Sequence, residues 1–229
     1  SDLAEALNQI NSYRPRPVYL ELPSDIVRMP VNNSEPVLAR TTRLLPQLDM
    51  QAVEAVARKL AAAQFPLIMA GGGATAAGAQ IQQLAELLGA GLGMTENGLG
   101  TLDARHPQAF TQLGANKLWG RADVVLALGT RLYAPVFNWG FDDELDIIKV
   151  DIDPDELNRL PIPVTGIVSE IGQFVTALCA ALPKYLNAPK VLDSAFTLIR
   201  AECAKDLEKL VLHGQIMRML REELGEDGV

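Results

Sequence analysis

Ile147-Ile148-Lys149-Val150-Asp151-Ile152-Asp153-Pro154-Asp155-Glu156-Leu157 reads as a buried strand that ends in two carboxylates and turns straight into a helix. Pro154 suits a first helical position, and Asp155 and Glu156 complement the positive end of the helix dipole. Open α/β sheets bind ligands outside the carboxyl ends of their strands, so the geometry is that of a nucleotide site.

Outward from that stretch the chain alternates. Apolar strand candidates lie at 66 to 70, 90 to 94, 123 to 128, 147 to 151 and 163 to 167, separated by helical stretches near 75 to 88, 115 to 120, 154 to 159 and 169 to 182. Short apolar strands alternating with helices indicate a parallel sheet covered on both faces. The expected fold class is therefore α/β: a doubly wound, mostly parallel Rossmann-like sheet with helices on both faces. Asp49 is placed to cap a helix whose Val53, Val56, Ala57 and Leu60 recur at helical spacing. Upstream, Val18, Leu20 and Leu22 alternate with Tyr19 and Glu21, which predicts one strand without a sheet. Residues 30 to 46, with Pro30, Pro36 and Pro46 among polar residues, read as a linker. Beyond Lys190 two amphipathic helices are expected, the second from Gly214 to Leu224 with Ile216, Met217, Leu220 and Leu224 on one stripe. The chain starts at Ser1 and stops at Asp227-Gly228-Val229, just where a new turn and strand would start, so a segment of a longer protein is expected.

With 229 residues and 48% hydrophobic content, one α/β domain with extensions can bury a full core. A net charge of -8 and a pI near 4.8 argue against nucleic-acid or anionic-membrane partners, which are bound through Lys and Arg. No apolar run approaches a membrane span and the start shows no basic region followed by an apolar segment, so a soluble, cytoplasmic chain is expected. Two cysteines, Cys179 and Cys203, are too few for a disulfide framework and too far apart for a local metal pair; reduced thiols follow, Cys179 as a small hydrophobe on a helix.

Gly71-Gly72-Gly73-Ala74-Thr75-Ala76 follows a predicted strand and opens a predicted helix, with the Gly-x-Gly-x-x-Ala spacing of a dinucleotide turn. Glu96, at the end of the next strand, stands where a ribose-binding acid is expected. A tight turn with no ligand is the plainer account of the same glycines. Arg131 after Gly129-Thr130 can reach a ligand phosphate or pair with an acid, and Asp151 and Asp153 can accept from ribose hydroxyls or cap their own turn. His106 and His213 have no nucleophile placed beside them and read as turn histidines. Tyr133 to Phe141 is aromatic for a chain with 5% aromatics, which marks a ligand or domain-contact surface, although Trp119, Trp139, Phe137 and Phe141 are more simply packing groups.

Several words stand in one order: Arg14-Pro15-Arg16-Pro17-Val18-Tyr19-Leu20-Glu21-Leu22-Pro23-Ser24-Asp25, Asn97-Gly98-Leu99-Gly100 through His106-Pro107, Leu126-Ala127-Leu128-Gly129-Thr130-Arg131, and the 147–157 stretch. Together they resemble the acetolactate synthase-like thiamine diphosphate enzymes. The resemblance implies a C-terminal stub of the pyrimidine-binding domain at 1–29, a linker at 30–46, the central Rossmann-like domain at 47–185, and a linker helix with the start of the diphosphate-binding domain at 186–229. It implies a parent that decarboxylates or ligates a 2-oxo acid with thiamine diphosphate and Mg2+. In that family the catalytic glutamate lies in the first domain and the Gly-Asp-Gly magnesium motif in the third. No catalytic or metal residue and no bound thiamine diphosphate is therefore expected in this chain. The missing domains are its expected partners, with homo-oligomer formation. Cofactor contacts carry over to Gly71, Gly72, Gly73, Arg131, Asp151 and Ile152. Leu132-Tyr133-Ala134-Pro135 replaces the family's Phe-Asp-Asp-Arg, Ala115-Asn116-Lys117 stands near its Met-His-Gly, and Ile167 follows Gly166 where Asp is usual. These departures make FAD doubtful and leave an adenine nucleotide as a possible ligand. Two rival readings are a free-standing NAD-dependent oxidoreductase built on Gly71 to Ala76 and Glu96, and a ligand-free scaffold.

Overall fold

A computed structural model describes residues 2–11, 14–30, 45–142 and 144–224. Six strands, β1 (Pro66–Ala70), β2 (Gly91–Met94), β3 (Ala109–Phe110), β4 (Val124–Leu128), β5 (Asp146–Asp151) and β6 (Thr165–Val168), form one sheet in the order β3-β2-β1-β4-β5-β6. Every pairing is parallel. The helices are α1 (Asp2–Ile10), α2 (Ser24–Val27), α3 (Met50–Ala62), α4 (Gly78–Leu88), α5 (Gln112–Trp119), α6 (Pro154–Leu157), α7 (Ile171–Ala181), α8 (Asp193–Glu208) and α9 (Val211–Leu224).

Strand alternation divides the core in two. Ile68, Leu126, Ile148 and Val150 face α3, α4 and α7, whereas Leu67, Met69, Val125, Ala127 and Ile147 face α5 and Phe196 and Ile199 of α8. Because β1 and β4 are buried on both faces, they read as unbroken apolar runs, and helices on both sides complete a doubly wound α/β fold. Strand order reverses between β1 and β4, and a crevice opens at the carboxyl ends of such neighbours.

Local chemistry sets the helix starts. Asp49 accepts from the N–H groups of Gln51 and Ala52, and Asp153 caps α6 through the N–H of Asp155, with Pro154 at the first position. Gly89 ends α4 in the left-handed region at φ 65°, where a side chain would collide with Lys190.

Several expectations need correction. The segment from 17 to 22 forms no strand and pairs with none among the described residues, and Tyr19 stands 85% exposed. The glycine turn leads into a 3-10 segment, Gly72–Ala77, before α4 begins at Gly78. Helix α6 ends at Leu157, two residues early, and α9 starts at Val211, placing His213 inside the helix. Most of the expected linker, residues 31–44, lies outside the described residues.

Candidate functional site

At the carboxyl edge of the sheet the turns after β1 and β4 meet backbone to backbone. The N–H of Gly71 donates to the carbonyl of Leu128 at 3.0 Å, and that of Gly73 donates to Gly129 at 3.1 Å. A Cβ on Gly71 would overlap the Gly129 carbonyl and stand 2.6 Å from Thr130 Cβ; one on Gly73 would lie 3.1 Å from Gly129 Cα. Gly129 itself holds φ 54°. The glycines thus serve first to bring two turns together, since only hydrogen fits between them.

Two cavities flank that seam. The larger, about 460 Å³, is lined by Gly71, Gly72, Gly73, Glu96 and Arg131, together with Thr95, Asn97, Gln112, Tyr133 and Trp139. The smaller, about 230 Å³, is lined by Gly73, Arg131, Asp151 and Ile152, with Glu170 and Ile171. Arg14, Gly73, Gly129 and Arg131 border both, so the two lobes form one groove. All six residues expected to contact a cofactor line it. Arg131 is exposed and pairs with no acid among the described residues, which leaves its guanidinium available at the junction. The positive end of α7, by contrast, is already capped: the Glu170 carboxylate accepts from Gly172 and Gln173.

Beneath the smaller lobe lies a charge cluster whose acids the local pattern offers but whose basic partners it does not. Lys149 is fully buried, and its ammonium donates to the Glu156 carbonyl at 2.5 Å; burial lowers its pKa, against the opposing pull of Asp151 and Glu156. Burial raises the Asp151 carboxyl, although one of its oxygens accepts from the Asp153 N–H at 3.0 Å. Asp153 feels the same desolvation, but hydrogen bonds from Arg16, the Asp155 N–H and Arg14 outweigh it and hold its pKa low. Arg14 meets Glu156 at 2.5 Å and Asp153 at 3.5 Å, and Arg16 also pairs with Asp153. Glu156 is therefore not a solvated dipole partner: it is 1% exposed, and its Oε2 is buried without a hydrogen bond.

The segment after Arg131 shapes the far wall. Leu132 is buried at φ 59°, a costly conformation for a branched side chain, with its N–H bonded to Thr130 Oγ1. A π-helical turn, Pro135–Trp139, follows, a form that recurs at functional sites. Trp119 is buried, donates Nε1–H to the Gly140 carbonyl at 2.6 Å and meets Trp139 edge-on, so it packs; Trp139 lines the larger lobe, and Phe137 and Phe141 are exposed. His106 accepts from the Gln108 N–H and approaches Glu86 at 3.3 Å, away from the groove. Cys179 is buried, and both cysteines are free.

A parallel sheet of this order, with a groove at its switch point, defines a doubly wound Rossmann-like architecture. Residues 53–178, more than half of the chain, match the family model described as thiamine pyrophosphate enzyme, central domain, and the chain belongs to that family. It is 33% identical over 211 residues to the probable 2-ketoarginine decarboxylase AruI of Pseudomonas aeruginosa, covering 87% of this chain and 37% of that protein. It is 30% identical over 190 residues to acetolactate synthase 1 of Zea mays, covering 78% of this chain and 30% of the relative. The chain thus spans about a third of the length of these relatives. An X-ray structure from Mycobacterium smegmatis, of a protein described as thiamin diphosphate-dependent, shares the fold at TM-score 0.57 and 18% identity, over 69% of this chain and 32% of that one.

Proposed function

We propose that this chain is the central portion of a thiamine diphosphate-dependent 2-oxo acid decarboxylase or carboligase, providing architecture and an adenine-nucleotide groove. The observation that carries the nucleotide reading is the convergence of the glycine turn, Arg131, Asp151 and Ile152 on one groove at the sheet's switch point. Arg131 offers a forked donor for a diphosphate, and Asp151 offers a carboxylate to a ribose. Among the described residues no group of three or more His, Cys, Asp or Glu side chains could hold a metal ion; the chemistry of thiamine diphosphate and Mg2+ is proposed to lie outside this chain. Those groups belong, in this reading, to the pyrimidine- and diphosphate-binding domains of a longer cytoplasmic, oligomeric parent, with 1–29 and 186–229 as the chain's ends of those domains. No described helix is long and apolar enough to cross a membrane.

Titration calorimetry of the purified chain with ADP and FAD tests the groove. Saturable ADP binding, tighter than FAD, is expected; FAD binding tightly with ADP silent would overturn the assignment. Absence of binding by either favours the scaffold reading, which the intrachain use of the Gly71 and Gly73 N–H groups also suits. The same chain should show no saturable binding of thiamine diphosphate with Mg2+.

A further inference from the structure

We infer that the larger lobe takes a cationic, carboxamide-bearing ring, making the groove's ligand an oxidised nicotinamide dinucleotide. This rests on the adenine-nucleotide reading above and extends it to the other half of the ligand. The two lobes share Arg131 at their junction, so a ligand filling both is a linear molecule with its anionic part in the middle. The smaller lobe places the apolar side chains of Ile152 and Ile171 beside buried Asp151, which suits an adenine and its ribose.

The larger lobe has a different chemistry. Glu96 brings a carboxylate that pairs with no cation among the described residues, and Asn97 and Gln112 bring two side-chain amides. Tyr133 and Trp139 add aromatic surface to the same wall. A pyridinium ring answers all three features: its positive charge is drawn to a carboxylate and to aromatic faces, and its carboxamide has a donor and an acceptor for amides. An isoalloxazine fits this wall less well, because the oxidised ring is neutral and its pyrimidine edge sets two carbonyl oxygens that a carboxylate repels against the single N3–H that it can accept from. A pantetheine arm can bond the two side-chain amides through its own amide groups, but it carries no positive charge to answer Glu96 and no ring to answer the aromatic wall.

Ligand charge gives the test. Isothermal titration of the purified chain with NAD+, NADH, ADP, FAD and coenzyme A, repeated with the exposed-site variant Glu96→Gln, separates the possibilities. NAD+ should bind more tightly than ADP and about fivefold more tightly than NADH, the size of a partly solvated charge pair. In Glu96→Gln the NAD+ preference over NADH should vanish while ADP affinity stays, with unchanged circular dichroism. ADP binding with no gain for NAD+, equal NAD+ and NADH affinity, a preference unmoved by Glu96→Gln, or tighter FAD or coenzyme A binding each overturns the ring assignment and leaves the nucleotide reading standing. If no adenine ligand binds at all, both readings fall together.

Discussion

Between Gly71 and Gly129 there is room for hydrogen and nothing larger, so single atoms decide the site. A methyl on Gly71 must displace the backbone of the neighbouring turn, since its contacts are a carbonyl and the carbons of Thr130 rather than a flexible side-chain end. Forced overpacking of this kind costs about 1 to 3 kcal/mol, so Gly71→Ala should lower the urea midpoint accordingly. A change below about 0.3 kcal/mol would mean the turns separate freely. Arg131 makes no such structural contact, and its loss should register in binding alone. Removing one charge-assisted phosphate bond costs about 1.5 to 3 kcal/mol, so Arg131→Ala should weaken ADP by roughly one to two decades while leaving the unfolding midpoint in place. Unchanged ADP affinity would remove Arg131 from the site. These residues stood out in the sequence because glycine runs and a lone arginine after an apolar strand are local punctuation. The buried roles of Arg14, Lys149 and Glu156 did not, although Glu156 read as a dipole complement: the Arg14–Glu156 pair joins positions 142 apart, and a lysine inside a buried strand carries no local sign that a helix carbonyl will receive it.

Elements were legible in proportion to how much of their pattern is local. Strands β1 and β4 are apolar along their whole lengths, and β5 carries Ile147, Ile148 and Val150 between charged residues, which placed all three within a residue or two. Strand β3 has two residues and no period to read, and it exists because the backbone of β2 stands beside it. Segment 17 to 22 is the converse, an alternating pattern with no partner strand among the described residues. Helix α8 shows how a weakly amphipathic element is held by side-chain contacts. Phe196 packs on Phe110, the Arg200 guanidinium donates to the carbonyls of His106, Pro107 and Ala109, and Asp206 pairs with Lys117 of α5 at 2.8 Å. Hydrogen bonds from Lys117 and Lys209 hold the Asp206 carboxyl down at about 2, below its ordinary 3.8. A depressed carboxylate stabilises the fold fully above the unfolded value and loses that contribution as pH falls through the folded one. The clamp should therefore weaken between pH 3.8 and about 2. Comparing urea midpoints over that window, the decline should be shallower in Asp206→Asn than in the parent chain, and added salt should narrow the difference because the pair is partly exposed. Identical declines would show that Asp206 has no part in docking α8.

At the scale of the whole chain, the two faces of the sheet are closed and the ends are not. The central core is covered on both sides, yet Leu212, Ile216, Met217, Leu220 and Leu224 of α9 are between 47% and 66% exposed. Tyr19, Leu22, Val27 and Met29 near the other end are 59% or more exposed. A helix that buries nothing gains little from packing, and a helix of 14 residues is marginal in water on its own. Apolar surface of this extent is ordinarily covered by another protein surface. In the longer parent the neighbouring domains are proposed to cover it; without them a second copy of the chain can do so through the same apolar stripe. Light scattering should show a concentration-dependent dimer, and Met217→Glu with Leu220→Glu should return it to a monomer without shifting the unfolding midpoint of the central core, because neither residue contributes to that core. A monomer at all concentrations, with α9 protected from hydrogen exchange, would mean that these side chains find their cover within one chain.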